Sequence, residues 1–126
     1  MSCAAALATL DVIEDEDLVA NARARGAQLL GGLRELQVDH GAIGDVRGLG
    51  CMVGVEFVRP GEGDGRVPDP ALTKRVIAEA LGRQLIVLSA GSYVNVSRLI
   101  PTLVTTTDEV DRALSILDDS LTAAGA

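Results

Sequence analysis

Aromatic residues are almost missing from this 126-residue chain, which has no Trp, one Phe and one Tyr. Aliphatic side chains must therefore fill whatever interior it forms, and stacking platforms for single-stranded nucleic acid are lacking. Basic groups are outnumbered, 11 against 18 acidic, for a formal charge of -7. With no Lys/Arg cluster, nothing neutralises several phosphates at once, which argues against a nucleic-acid partner. A lone His, His40, without a Cys or second His nearby is a poor metal site, so no metal ligand is assigned. Two cysteines are too few for a disulfide framework. Cys3 and Cys51 fall in segments that read as buried helix and strand and are expected to be reduced core thiols, which implies a cytoplasmic setting. No apolar run is long enough for a bilayer span: Gln84 to Ser97 is free of charge but contains Gln, Ser, Gly and Asn. The small-residue stretch Ser2 to Leu10 has no basic region ahead of it and acids from Asp11 onward, the wrong polarity for a secretory signal.

What the chain does have is 48% hydrophobic residues, enough for one compact domain with its own core. Ser2 to Glu14 reads as an Ala-rich helix with Ser2 as its N-cap, and its apolar first turn predicts close packing on something broad. The acidic run Glu14 to Asp17 precedes a second helix, where carboxylates suit the positive end of the dipole. Leu18, Ala22, Leu29, Leu33 and Leu36 recur there at helical spacing until Asp39 to Gly41. Gly44, Gly48 and Gly50 signal tight backbone turns before a β-branched strand over Cys51 to Val58. Arg59 to Asp69 has loop composition.

Asp69-Pro70 then caps a third helix with the stripe Leu72, Val76, Ile77, Ala80 and Leu81, closed by Gly82. Leu85 to Leu88 reads as a short buried strand, and Val94 to Ile100 as another stopped by Pro101. Thr106 and Glu109 have capping-box spacing ahead of Val110, Leu114, Leu117 and Leu121. The sum is an α/β (α+β) domain over 1–126, a small sheet with helices packed on one side.

Arg98 is the most informative residue. Strand alternation puts it on one face with Val94, Val96 and Ile100, and no acid occurs between Glu79 and Asp108 in sequence. A guanidinium cannot shed its charge, so it must reach water, a carbonyl or an anion. Two readings stand at this point: a strand-end arginine in solvent or paired with an acid from another segment, or a clamp for a substrate carboxylate, whose two oxygens match the guanidinium fork.

Four segments taken in order, Ser2-Cys3-Ala4-Ala5-Ala6-Leu7-Ala8, Ile43-Gly44-Asp45-Val46-Arg47-Gly48-Leu49-Gly50, Met52-Val53-Gly54-Val55-Glu56 and Asn95-Val96-Ser97-Arg98-Leu99-Ile100-Pro101, resemble the C-terminal part of class III pyridoxal-phosphate aminotransferases, with the 4-aminobutyrate branch the nearest. The resemblance implies the small domain of a fold-type I, homodimeric enzyme that moves an amino group from an ω-amino acid such as 4-aminobutyrate to a keto acid such as 2-oxoglutarate. It also favours the clamp: the family's carboxylate-binding arginine, in the motif Asn-Val-x-Arg-Leu-x-Pro, falls on Arg98. Arg47, Gly48 and Gly50 match a motif taken as architectural, and Glu56 is read as an exposed or paired strand residue. Val94, Ser97 and Thr102 depart from the family's usual Gly, apolar residue and second Pro.

Transamination needs a lysine to hold the cofactor and move the proton, an acid at the pyridine nitrogen and a phosphate cradle, which the family keeps upstream of the resembling part. The one lysine, Lys74, lies on the third helix and reads as a surface residue; Gly61 to Gly65 is acidic and would repel a phosphate. Ser89 and Ser92 lack a nearby base, and Cys51 is not at a helix N-terminus. The chain is therefore expected to be a piece of a longer polypeptide, with no catalytic residue of its own, no cofactor bound by it alone, and an apolar first helix that drives association. Two rival readings are a free-standing α/β interaction or regulatory module whose Arg98 binds a small acid, and a structural remnant that pairs with another polypeptide.

Overall fold

In the computed structural model, which describes residues 2–61 and 66–126, the chain runs α1 (Ser2–Asp15), α2 (Leu18–Asp39), β1 (Ile43–Leu49), β2 (Met52–Pro60), β3 (Arg66–Pro68), α3 (Pro70–Gly82), β4 (Leu88–Ala90), β5 (Val96–Leu99) and α4 (Thr107–Ala124). The strands lie in the order β1-β2-β5-β4, with β3 paired to the far end of β2, and every pairing is antiparallel. Inward positions of β2 (Val53, Val55, Phe57) and Leu99 of β5 join Leu29 and Leu33 of α2, Leu72 and Val76 of α3, and Val110, Leu117 and Leu121 of α4 in one core. Helices thus cover one face of the sheet and leave the other open, the α+β arrangement expected from the sequence. Phe57, 1% exposed, is the one aromatic in this aliphatic interior. No helix among the described residues is long and apolar enough to cross a membrane.

Local chemistry explains the clearest helices. Asp69 accepts from the Leu72 amide at 2.9 Å with Pro70 in the first turn of α3. Thr106 and Glu109 close the capping box on α4. The Thr106 amide and hydroxyl hold the Glu109 carboxyl below its ordinary value, so this cap's contribution is present at neutral pH and is lost as acid protonates Glu109.

Several expectations need correction. Ile43–Leu49 is a strand, not a turn-rich approach to one. Gly48 is there because a Cβ would lie 2.6 Å from the Met52 carbonyl oxygen across the hairpin. Only Gly50 (φ 53) bends the chain, in the two-residue turn Gly50–Cys51 between the paired Leu49 and Met52. The segment Leu85 to Val87 does not pair and buries only Val87 fully, with Ile86 exposed, and the strand is displaced to Leu88–Ala90, where Leu88 is exposed rather than buried. Val94 lies in a left-handed turn (φ 56) outside β5, so it is not on the face of Arg98. Part of the expected loop is β3, and residues 62–65 lie outside the described residues. The acidic run ends α1 and forms the link; Asp17 (φ 49) precedes α2 without a side-chain cap.

Cys3 is exposed, not a core thiol, because α1 has no buried residue and, among the described residues, packs mainly along α2; Ser2 is its first helical residue. Cys51 is buried as expected. Its thiol donates to the Ala22 carbonyl at 3.5 Å, and burial pushes its pKa up against the opposing Arg25 charge, which keeps it protonated and unreactive.

Ser97 points into the core at 1% exposure, and its hydroxyl has no hydrogen-bond partner among the described residues. A buried unpaired hydroxyl carries its full desolvation penalty. Ser97→Ala is therefore expected to stabilise the chain by about 1 kcal/mol; a melting temperature that falls would contradict the unpaired hydroxyl.

Candidate functional site

The open face of the sheet holds the charged residues. Register places Arg47 of β1 opposite Gly54 of β2, Gly54 opposite Arg98 of β5, and Arg98 opposite Leu88 of β4, one row across four strands. At about 4.8 Å per strand step, Arg47 and Arg98 stand about 10 Å apart with the side-chain-free Gly54 between them. Together with Gly48, Met52 and Gly91 they border a depression of about 420 Å³. Leu49 and Met52, both more than half exposed, add apolar surface to its lining.

The two arginines differ in their electrostatics. Arg47 donates to Asp45 at 2.6 Å and to Glu56 at 2.7 Å. These hydrogen bonds, Asp45 first, raise its pKa further and leave its charge fully compensated. Glu56 is the paired strand residue expected, and it also receives the Asn95 amide at 3.4 Å. Arg98 is exposed and forms no ion pair or side-chain hydrogen bond among the described residues. Glu56, which shares its face, is already engaged by Arg47. The row therefore presents one neutralised and one uncompensated guanidinium, and only the second has its fork open to a carboxylate.

The strand that carries Arg98 is fixed by a residue to which the sequence reading gave no role. Asn95 is 2% exposed; its side-chain amide donates to the Phe57 carbonyl at 3.0 Å, and its backbone carbonyl accepts from the Phe57 amide N–H at 2.7 Å. A buried amide with these partners locks the start of β5 to β2. Its adjacency to Arg98 in the motif was the available signal. Gly54 was missed as well, since only the register shows that it separates the two arginines.

The other polar candidates are dispersed. His40 is buried, with Nε2 2.7 Å from Asp118, and ties the end of α2 to α4. Among the described residues no group of three His, Cys, Asp or Glu could hold a metal ion. Lys74, the one amine side chain, is exposed on α3 in a depression shared with Pro70, Thr73, Ile77, Ser89 and Val94. No carboxylate for a pyridine nitrogen and no run of backbone amides for a phosphate lines that depression, so these residues do not fit pyridoxal phosphate. Borohydride reduction of the purified chain after incubation with pyridoxal phosphate is expected to leave no stoichiometric adduct; a site-specific adduct at Lys74 would overturn this reading.

A small antiparallel sheet backed by helices defines a mixed α/β domain. Residues 1–121 match the description of the family Aminotransferase class-III, and the chain belongs to that family. It is 40% identical over 119 residues to 5-aminovalerate aminotransferase DavT of Pseudomonas putida, covering 94% of this chain and 27% of that protein. It is 38% identical over 117 residues to 4-aminobutyrate aminotransferase GabT of Escherichia coli, covering 93% and 27%. Among solved structures, an amine transaminase from an uncultivated Pseudomonas species in a PLP-bound form superposes with a TM-score of 0.87 at 37% identity, over 98% of this chain and 27% of that one. The chain thus spans about a quarter of the length of the curated relatives it matches.

Proposed function

We propose that this chain is the C-terminal, small domain of a pyridoxal-phosphate-dependent aminotransferase that moves an amino group from an ω-amino acid such as 4-aminobutyrate or 5-aminovalerate to a keto acid such as 2-oxoglutarate, with Arg98 as the ligand of the substrate carboxylate. The observation that supports it best is the uncompensated Arg98 guanidinium in a row where the neighbouring Arg47 is saturated by two acids. Membership of the class-III family supplies the reaction class, and the likeness to DavT and GabT supplies the ω-amino acids. Arg98 acts from the substrate side: it binds the carboxylate through two parallel N–H···O bonds and so orients the chain that bears the reacting amine. Capture of the cofactor falls to no residue of this chain. The assembled enzyme is a cytoplasmic homodimer in this reading.

The test is a chimera in which this chain replaces the region of Escherichia coli GabT that it matches. A folded, cofactor-loaded chimera is expected to transaminate 4-aminobutyrate or 5-aminovalerate with 2-oxoglutarate. A chimera that is folded and loaded by circular dichroism and cofactor absorbance, yet inert toward every ω-amino acid, would overturn the assignment.

A further inference from the structure

Helix α1 is 14 residues long, and not one of them is buried. Isolated helices of that length are marginal in water, so an ordered α1 must draw stability from a surface packed on it. Within the described residues α2 is its main neighbour, and it leaves Leu7 62% and Leu10 58% exposed, with Cys3 and Glu14 open to solvent as well. These four residues follow one another at spacings of four, three and four, the seam of a two-stranded coiled coil. An exposed apolar seam marks an interaction surface.

Charge selects the partner and its direction. From Ser2 to Leu10 the helix carries no charged side chain, whereas its last five residues include Asp11, Glu14 and Asp15. We infer that α1 pairs with α1 of a second copy of this chain, antiparallel about a two-fold axis, with Leu7 against the partner's Leu10 and Leu10 against the partner's Leu7. One register makes both contacts, so the surface is self-complementary, as a two-fold interface requires. The same register sets Glu14 beside the partner's Cys3, where a carboxylate meets the positive end of the partner's helix. In a parallel pair Glu14 would face its own copy, and the acids of both helices would gather at one end. A chain of net charge -7 repels its copies over much of its surface, which favours an uncharged stretch as the meeting place. This pairing is independent of the role proposed for Arg98, which lies on the sheet.

Sedimentation equilibrium of the chain, from low micromolar to near-millimolar concentration, tests the pairing. The seam is short, so a reversible rise from one chain mass to two is expected across that range. Leu7→Glu, which sets a carboxylate in the seam, should leave a monomer whose melting curve at low concentration is unchanged. Direction is read with a bismaleimide too short to span α1 from end to end. In the antiparallel register the two copies of Cys3 lie about 17 Å apart along the axis, at 1.5 Å per residue, so the unsubstituted chain should not be linked. Glu14→Cys should be linked, through Cys3 of one chain and the substituted position of the other; Cys51 is buried and does not compete. A monomer at every concentration would overturn the inference and assign the α1 face to a different polypeptide. A dimer that survives Leu7→Glu would overturn it by placing the contact on another surface. A Cys3–Cys3 link in the unsubstituted chain would do so by making the helices parallel.

Discussion

Gly26→Ala is expected to destabilise the chain by about 3 kcal/mol or more, although Ala is the better helix former by about 1 kcal/mol. Gly26 is buried in the middle of α2, where the hairpin turn of β1 and β2 crosses the helix. A Cβ there would lie 2.0 Å from the Gly50 oxygen and 2.2 Å from its carbonyl carbon, both backbone atoms in a two-residue turn that cannot retreat without moving the hairpin. Steric overlap therefore wins over propensity. Gly31, five residues along the same helix, is exposed with nothing within 4 Å of a Cβ, so Gly31→Ala is expected to stabilise by about 0.5–1 kcal/mol. Chemical denaturation of the two variants checks the sign of each. Equal shifts in the same direction would contradict the close approach of α2 and the hairpin. Against a typical domain stability of about 5–15 kcal/mol, the loss at Gly26 is large enough to populate unfolded chain at 37 °C.

That contact also shows where the sequence was legible and where it was not. Periodicity and caps are local signals, so α2, α3 and α4 could be read from Leu29 and Leu33, from Asp69-Pro70 and from Thr106 with Glu109. Gly50 turns the chain as expected, but Gly44 and Gly48 were misread as turn residues because glycine in a strand serves close approach, which depends on a partner on another strand. Cys3 was placed in a core because an apolar helix implies a covering surface, and among the described residues the chain supplies mainly α2. Arg98 stood out from its isolation among uncharged residues. That Arg47 carries two acids, that Asn95 locks β5, and that Gly54 lies between the arginines are all consequences of register, which a one-dimensional pattern does not contain.

Removal of the Arg98 guanidinium is expected to produce the largest functional effect. A bidentate, charge-assisted pair with a carboxylate contributes about 1.5–3 kcal/mol, so Arg98→Met in the chimera should lower kcat/KM for 4-aminobutyrate by about 100-fold. Arg98→Lys keeps the charge but replaces the fork with a point donor and should lose about tenfold, with KM raised more than kcat is lowered. No neighbour can take over the role. Arg47 is held by Asp45 and Glu56, and freeing it would leave two carboxylates without their cation. Because Arg98 is exposed and makes no contact with another charged side chain among the described residues, neither substitution should change the melting temperature appreciably. Lost activity with an unchanged melting curve separates a binding role from a structural one.

The most direct measurement compares donors that differ only in the group Arg98 is assigned to hold. With 4-aminobutyrate and propylamine as substrates of the chimera, the ratio of their kcat/KM values reports how strongly the carboxylate is recognised. The account predicts a strong preference for 4-aminobutyrate that collapses by about 100-fold in Arg98→Met while propylamine turnover persists. A preference of the same size with and without the guanidinium would contradict it.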